Sequence, residues 1–206
     1  MKGLLIKDFY MAKKHSMILI VIAILFFAIS LFGKSIYFSF YPIAMISIVC
    51  INSLAYDDFY KWNKYEVVLP VSRVLAVLEK YLLLMIFILP SIIVSNLVFF
   101  LVFRYDLREM ISLLSIMLFT GVMMPSVVFP LFFKVGYAKA KTLSVVLNGV
   151  IISSIVFINM RNISGDFLIT GSFTPQKNTY LFAIAAIILL GISMMFSIKF
   201  YKKREF

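Results

Sequence analysis

Six apolar runs, each about as long as a lipid bilayer is thick, dominate this 206-residue chain. They lie at residues 16–32, 35–56, 81–103, 110–133, 142–160 and 180–200. Crossing the hydrocarbon core takes roughly 20 mostly apolar residues as a helix. Only helices and closed barrels satisfy their backbone hydrogen bonds there, and runs this long and this evenly apolar suit helices. The residues between the runs are too few for a sizeable soluble domain. Composition agrees: 63% of the chain is hydrophobic, 14% is charged and the mean hydropathy is +1.05. A soluble globule of this length has too much surface to hide so much apolar area. The expectation is an all-α integral membrane protein of six transmembrane helices, with residues 1–206 forming a single domain.

The charge pattern orients the helices. The net charge is +11, but the basic residues sit at the ends of the apolar runs, a pattern that serves topology and anionic lipid rather than nucleic acid. Residues 1–15, 57–80, 134–141 and the tail hold about 15 of the 20 Lys and Arg, against 5 in the intervening loops. The positive-inside rule makes the richer side cytoplasmic, with both termini on it. Lys13, Lys14 and His15 before the 16–32 run resemble a signal sequence, yet the long leading segment favours an uncleaved first span. Within residues 1–15, Leu4, Leu5, Phe9 and Ala12 recur near helical spacing among lysines. That pattern predicts a short amphipathic helix lying in the lipid interface, with a plain basic flank as the alternative.

The search for chemistry returns little. With these boundaries the span interiors contain no Asp, Glu, Lys, Arg or His, which argues against a proton-driven carrier or an intramembrane enzyme. One cysteine, Cys50, and one histidine, His15, leave no metal-ligand spacing, and no phosphate-cradling glycine loop is present. Isolated polar residues do occur in the runs. Among them Asn52, Ser95, Asn96 and Asn148 are candidates to line a translocation path, and hydrogen bonds between helices are the alternative use of such side chains.

The segment between the second and third runs is the most informative. It reads Asp57-Asp58-Phe59-Tyr60-Lys61-Trp62-Asn63-Lys64-Tyr65-Glu66, and after Leu69-Pro70-Val71 come Ser72 and Arg73. It is too long for a bare hairpin turn. Trp62, Tyr65, Val68 and Leu69 recur at helical spacing, Pro70 ends that element, and Ser72 is placed to cap the helix that follows. A short amphipathic helix at the membrane face is expected, resting on lipid or gripped by a soluble partner; physics leaves both open.

Three stretches together resemble the ABC type 2 export permeases, in their small six-span bacterial branch. They are the opening Met1-Lys2-Gly3-Leu4-Leu5-Ile6-Lys7-Asp8-Phe9-Tyr10, the segment from Tyr56 through Arg73 to Lys80-Tyr81, and the run from Phe129-Pro130 to Lys134-Val135-Gly136-Tyr137-Ala138-Lys139-Ala140-Lys141. Asp57-Asp58 stands where the family usually has Asp-Glu, and Tyr137-Ala138 where an acidic residue is more usual. The resemblance implies a bacterial plasma-membrane permease subunit that pairs with a second permease, alike or different, to form one export path. It implies no enzyme activity and no cofactor in this chain, with ATP and Mg bound by two copies of a separate ABC ATP-binding subunit. Those subunits would press on a cytoplasmic coupling helix within 57–73, where Asp57, Asp58, Lys61, Trp62, Lys64, Tyr65, Glu66 and Arg73 are the candidate contacts. Lys134, Gly136, Lys139 and Lys141 would form a second contact. The bulky, uncharged runs favour an amphipathic peptide or other hydrophobic cargo. The alternative from another class is a non-transporting scaffold or sensor that anchors a cytoplasmic partner.

Overall fold

A computed structural model describes residues 2–32, 40–62, 65, 72–104, 106–140, 142 and 179–203. Among these there are helices and no strands. The elements are α1 (Lys2–His15), α2 (Met17–Phe32), α3 (Phe40–Phe59), α4 (Arg73–Phe103), α5 (Leu107–Val135) and α6 (Tyr180–Lys203). The four helices α3 to α6 are long and apolar enough to cross a membrane. α1 and α2 meet at a bend of 68° and make a fifth crossing if counted as one. The expected fifth run, 142–160, lies outside the described residues from 143 onward. The chain is a multi-pass membrane protein.

Two boundaries move relative to the hydropathy reading. α3 continues past residue 56 to Phe59, and α4 begins at Arg73 rather than at 81. The Ser72 hydroxyl accepts the Leu75 N–H at 3.3 Å, the expected cap, and from there the helix runs without interruption through Glu79 and Lys80. Asp57, Glu79 and Lys80, which lie just outside the apolar runs, are thus inside helices, and they are buried. Hydropathy ends a span where charge begins, whereas a helix continues wherever its backbone is satisfied and its charges find partners.

α4 and α5 form the centre, with α3 and α6 packed on both of them. Ile43, Leu54, Leu84, Ile88, Leu113, Met117 and Phe129 are among the fully enclosed side chains. α3 and α5 approach closely at Gly121. There the Ser47 hydroxyl reaches the Gly121 carbonyl at 2.6 Å while also bonding the Ile43 carbonyl of its own helix. A Cβ on Gly121 would lie 2.9 Å from Ile43 Cγ2 and 3.1 Å from Ile88 Cγ2, methyls fixed on stiff β-branched side chains.

A chain of hydroxyls joins α4, α5 and α6. The Ser193 hydroxyl donates to the Ser126 carbonyl at 2.7 Å, and the Tyr81 hydroxyl lies 2.6 Å from Ser193 Oγ and 2.8 Å from Ser197 Oγ. Each hydroxyl carries one proton. With the Ser193 proton on the carbonyl, Tyr81 donates to Ser193, leaving its oxygen free to accept from Ser197. The Tyr81 ring also meets Phe129 edge-on at 5.0 Å. By contrast, α6 leaves Leu181, Ile184, Ile187, Ile188, Ile192 and Met195 exposed, an apolar face suited to lipid.

The Gly121 contact gives a first test. Gly121→Leu inserts a side chain where even a Cβ is too close, and overpacking of this kind typically costs about 1–3 kcal/mol. Thermal unfolding of the purified chain in detergent should show a clearly lower midpoint for this variant. A midpoint equal to that of the unmutated chain would mean that α3 and α5 are further apart than described.

Candidate functional site

The buried face of α1 is set by a four-residue repeat. Leu4, Asp8 and Ala12 are the enclosed residues, while Ile6, Phe9 and Tyr10 are exposed. The amphipathic face expected from Leu4, Leu5, Phe9 and Ala12 is thus partly corrected. The inward stripe carries a carboxylate at its centre, and Phe9 lies at the margin, stacked on Phe87 at 5.8 Å. A stripe with Asp8 in the middle makes sense only if cations meet it.

They do. Lys80 of α4 bonds both Asp8 of α1 and Asp57 of α3. Lys7 lies 2.5 Å from the other oxygen of Asp57 and 2.9 Å from Asp8 Oδ1. Two ammonium groups and two carboxylates alternate, so each charge has two opposite neighbours. Asp8, Asp57 and Lys80 are buried; Lys7 keeps 17% of its side chain in contact with solvent. Glu79 adds a third carboxylate, 3.7 Å from Lys80 Nζ, with Oε1 unpartnered among the described residues. Burial by itself would raise the Asp8 carboxyl. The positive charges of Lys80 and then Lys7 outweigh it and hold Asp8 below its ordinary range.

Beyond α3 the chain turns back. Tyr60 N–H bonds the Tyr56 carbonyl and Lys61 N–H the Asp58 carbonyl, and Lys61 takes a left-handed φ of 53°, which costs a non-glycine residue about 1–2 kcal/mol. That turn places the Trp62 ring over Lys7, with the ammonium 4.4 Å from the ring centroid. Tyr65 is helical, exposed, and 6.5 Å from Trp62 between centroids.

The second motif segment meets the first at this end. Gly136 stops α5 with φ 84° and ψ 169°, a conformation open essentially to glycine alone. Residues 137–140 then form a helical turn whose first N–H, on Tyr137, donates to Asp58 Oδ2 at 3.3 Å. An open groove of about 620 Å³ lies between them, lined by Asn52, Tyr56, Asp58, Phe59, Tyr60 and Tyr137 among others.

The candidate contacts therefore divide. Asp57 and Asp58 belong to α3 and Arg73 to α4. Arg73 donates to the Lys202 carbonyl at 2.8 Å, which places its charge at the C-terminal end of α6, where a cation is favourable. Lys61, Lys134 and Lys139 are exposed, and Lys134 lies over the Phe200 ring at 5.3 Å. Lys64, Glu66, Lys141 and Asn148 are outside the described residues. Of the candidate path residues, Asn52 faces the groove above, whereas Ser95 lines a separate apolar groove of about 400 Å³ bounded by Ile20, Phe27, Ile46, Phe87 and Pro90. Asn96 is buried, donating to the Ile92 carbonyl at 3.0 Å and Met117 Sδ at 3.4 Å. What sequence reasoning missed is the charge cluster. Its signal was an Asp at the centre of the α1 apolar stripe and a Lys at the edge of the third run, both read as flanking charges.

With this geometry in view, the relationship to known proteins can be stated. The model of the ABC-2 family transporter proteins matches residues 3–202. The chain belongs to the ABC-2 transporter family. It is the membrane permease component of an ABC transporter and not itself the ATPase, and the family implies an ABC ATP-binding partner. No curated protein matches the chain, and no solved structure matches it.

Two outcomes test this permease's site. Removing one partner of a buried ion pair strands a charge and costs about 3–5 kcal/mol. Lys80→Met should therefore unfold far earlier than the double variant Lys80→Met, Asp8→Asn, which leaves Lys7 and Asp57 paired. Thermal midpoints that fall additively would contradict the cluster. At the other segment, Gly136→Ala places a Cβ in a backbone conformation costing about 1–3 kcal/mol. Protease cleavage after Tyr137 should accelerate as the turn leaves Asp58, and an unchanged cleavage rate would contradict the strain.

Proposed function

We propose that this chain is a six-span permease subunit that pairs with a second permease, alike or different, in a bacterial plasma membrane. Both termini and the 57–73 segment face the cytoplasm, α1 lies in the inner lipid interface, and two ATP-binding subunits dock beneath. ATP-driven closure of those subunits presses on the docking segments and switches the path from one side to the other. Residues 57–73 form the principal docking segment and residues 134–141 the second. The exported cargo is an amphipathic peptide or a similarly hydrophobic molecule.

The observation that carries this reading is the bond between Asp58 and Tyr137 N–H. Two segments 79 residues apart in sequence, each resembling a cytoplasmic stretch of this family, meet at one end of the helices. A partner pressing there engages both at once. Trp62 and Tyr65 sit beyond the end of α3 with their rings close together, and aromatic residues dominate interface energetics. Lys61, next to Trp62 in the chain, and Lys139, two residues past Tyr137, are exposed and suit an acidic counterpart. The cargo proposal rests on the apolar groove that Ser95 lines, bounded by α2, α3 and α4.

Co-purification tests the proposal. A tagged chain extracted gently from its native membrane should bring an ATP-binding subunit with it in stoichiometric amount. Replacing Trp62 and Tyr65 with Ala should weaken that capture by about 100-fold or more, the loss of two anchoring aromatics, while membrane insertion is unchanged. Capture of a different cytoplasmic protein, without nucleotide-dependent flux in reconstituted vesicles, would favour the scaffold reading instead.

A further inference from the structure

Trp62 is the only tryptophan in the chain, and it does not stand free beyond α3. Its ring covers Lys7, the one member of the alternating charge set that is open to solvent. Lys7 in turn is held in place by Asp57 and Asp8, and both of these carboxylates are bonded to Lys80. The ring position is thus defined by charges on three helices: α1, α3 and the base of α4. The two described ends of the docking segment are tied into the same set. Asp57 is its first residue, near the end of α3, and Lys80 lies about two helical turns after its last, Arg73, on α4.

We infer that Lys7 and Asp8 are positioning residues for the docking segment, and that Trp62 is a latch closed on them. Lys7 presents its ammonium to the indole face, an attraction that strengthens as water is excluded. Asp8 acts through Lys7 and Lys80, the two cations it meets. A partner that takes hold of Trp62 has to lift it from Lys7, which opens the exposed corner of the charge set and loosens α1. By reciprocity, whatever loosens α1 frees Trp62. The partner's identity rests on the function proposed above; the latch rests on the geometry alone.

The single tryptophan makes the latch directly measurable in the full-length chain, reconstituted in lipid nanodiscs without any partner. The readout is quenching of Trp62 fluorescence by acrylamide, a neutral quencher that is indifferent to the charge removed. Lys7→Met should raise the quenching constant by about two- to fivefold, the range expected from loss of a cation–π contact. Asp8→Asn should raise it comparably by releasing Lys7, and Asp8→Glu should restore it. Lys13→Met removes an exposed charge from the same helix and should leave quenching unchanged. Trp62 quenching that is indifferent to both Lys7→Met and Asp8→Asn, or that responds equally to Lys13→Met, overturns the inference. If Asp8→Asn does not fold, Lys7→Gln at the solvent-facing corner decides the question by the same readout. Failure to capture an ATP-binding subunit would count against the docking proposal and leave this measurement intact, so the two readings fail separately.

Discussion

Taking an ammonium group out of water costs several kcal/mol unless opposite charges meet it in good geometry, and in this fold Lys80 is met from two sides. Asp8 approaches on α1 and Asp57 on α3. Much of the architecture at this end follows from that requirement. α4 can begin at Arg73, well before its apolar run starts, because Lys80 inside it is neutralised. α3 can continue past Asp57 for the same reason. α1 has to lie against both, since neither Lys80 nor Lys7 finds its full set of counter-charges without Asp8. An amphipathic helix drawn only to lipid would turn its apolar stripe outward. α1 instead turns Leu4, Asp8 and Ala12 inward and leaves Ile6, Phe9 and Tyr10 outside, so it is bound on one face by charge and free to contact lipid on the other.

Away from the charge set, the helices are joined by small polar side chains and close backbone contact, as expected where lipid tails compete with apolar packing. Ser47 on the Gly121 carbonyl joins α3 to α5. The run of hydroxyls through Tyr81 joins α4, α5 and α6. Lys80 and Tyr81 are neighbours in sequence yet serve different partners, because successive residues on a helix point in directions about 100° apart. One turn of α4 therefore anchors α1 and α3 on one side and α6 on the other.

The resemblance to ABC exporters rested on residues at the ends of helices, and the family match across residues 3–202 places the chain where those residues pointed. The structure changes what several of them do. Arg73, expected as a contact for a partner, spends its guanidinium on the last turn of α6. Asp58 accepts from Tyr137 N–H, linking the end of α3 to the turn that follows α5. Trp62, expected as an anchor for a partner, is engaged with Lys7 within the chain.

The apolar runs alone determined the membrane class, the helical architecture and the approximate positions of α2 to α6, because partition into hydrocarbon is local and can be read residue by residue. Ser72 as a cap was legible for the same reason, since capping acts within one turn. What only the tertiary structure decided was the fate of the charges. Lys7, Asp8, Asp57, Glu79 and Lys80 look in sequence like flanking residues that keep helix ends in water. Their pairing spans 50 residues from Lys7 to Asp57 and 72 from Asp8 to Lys80, and no local pattern encodes a contact at that separation. Hydropathy scores a charge as if it faced the bilayer by itself, whereas in the folded helix packet Asp8, Asp57 and Lys80 are buried together with opposite charges.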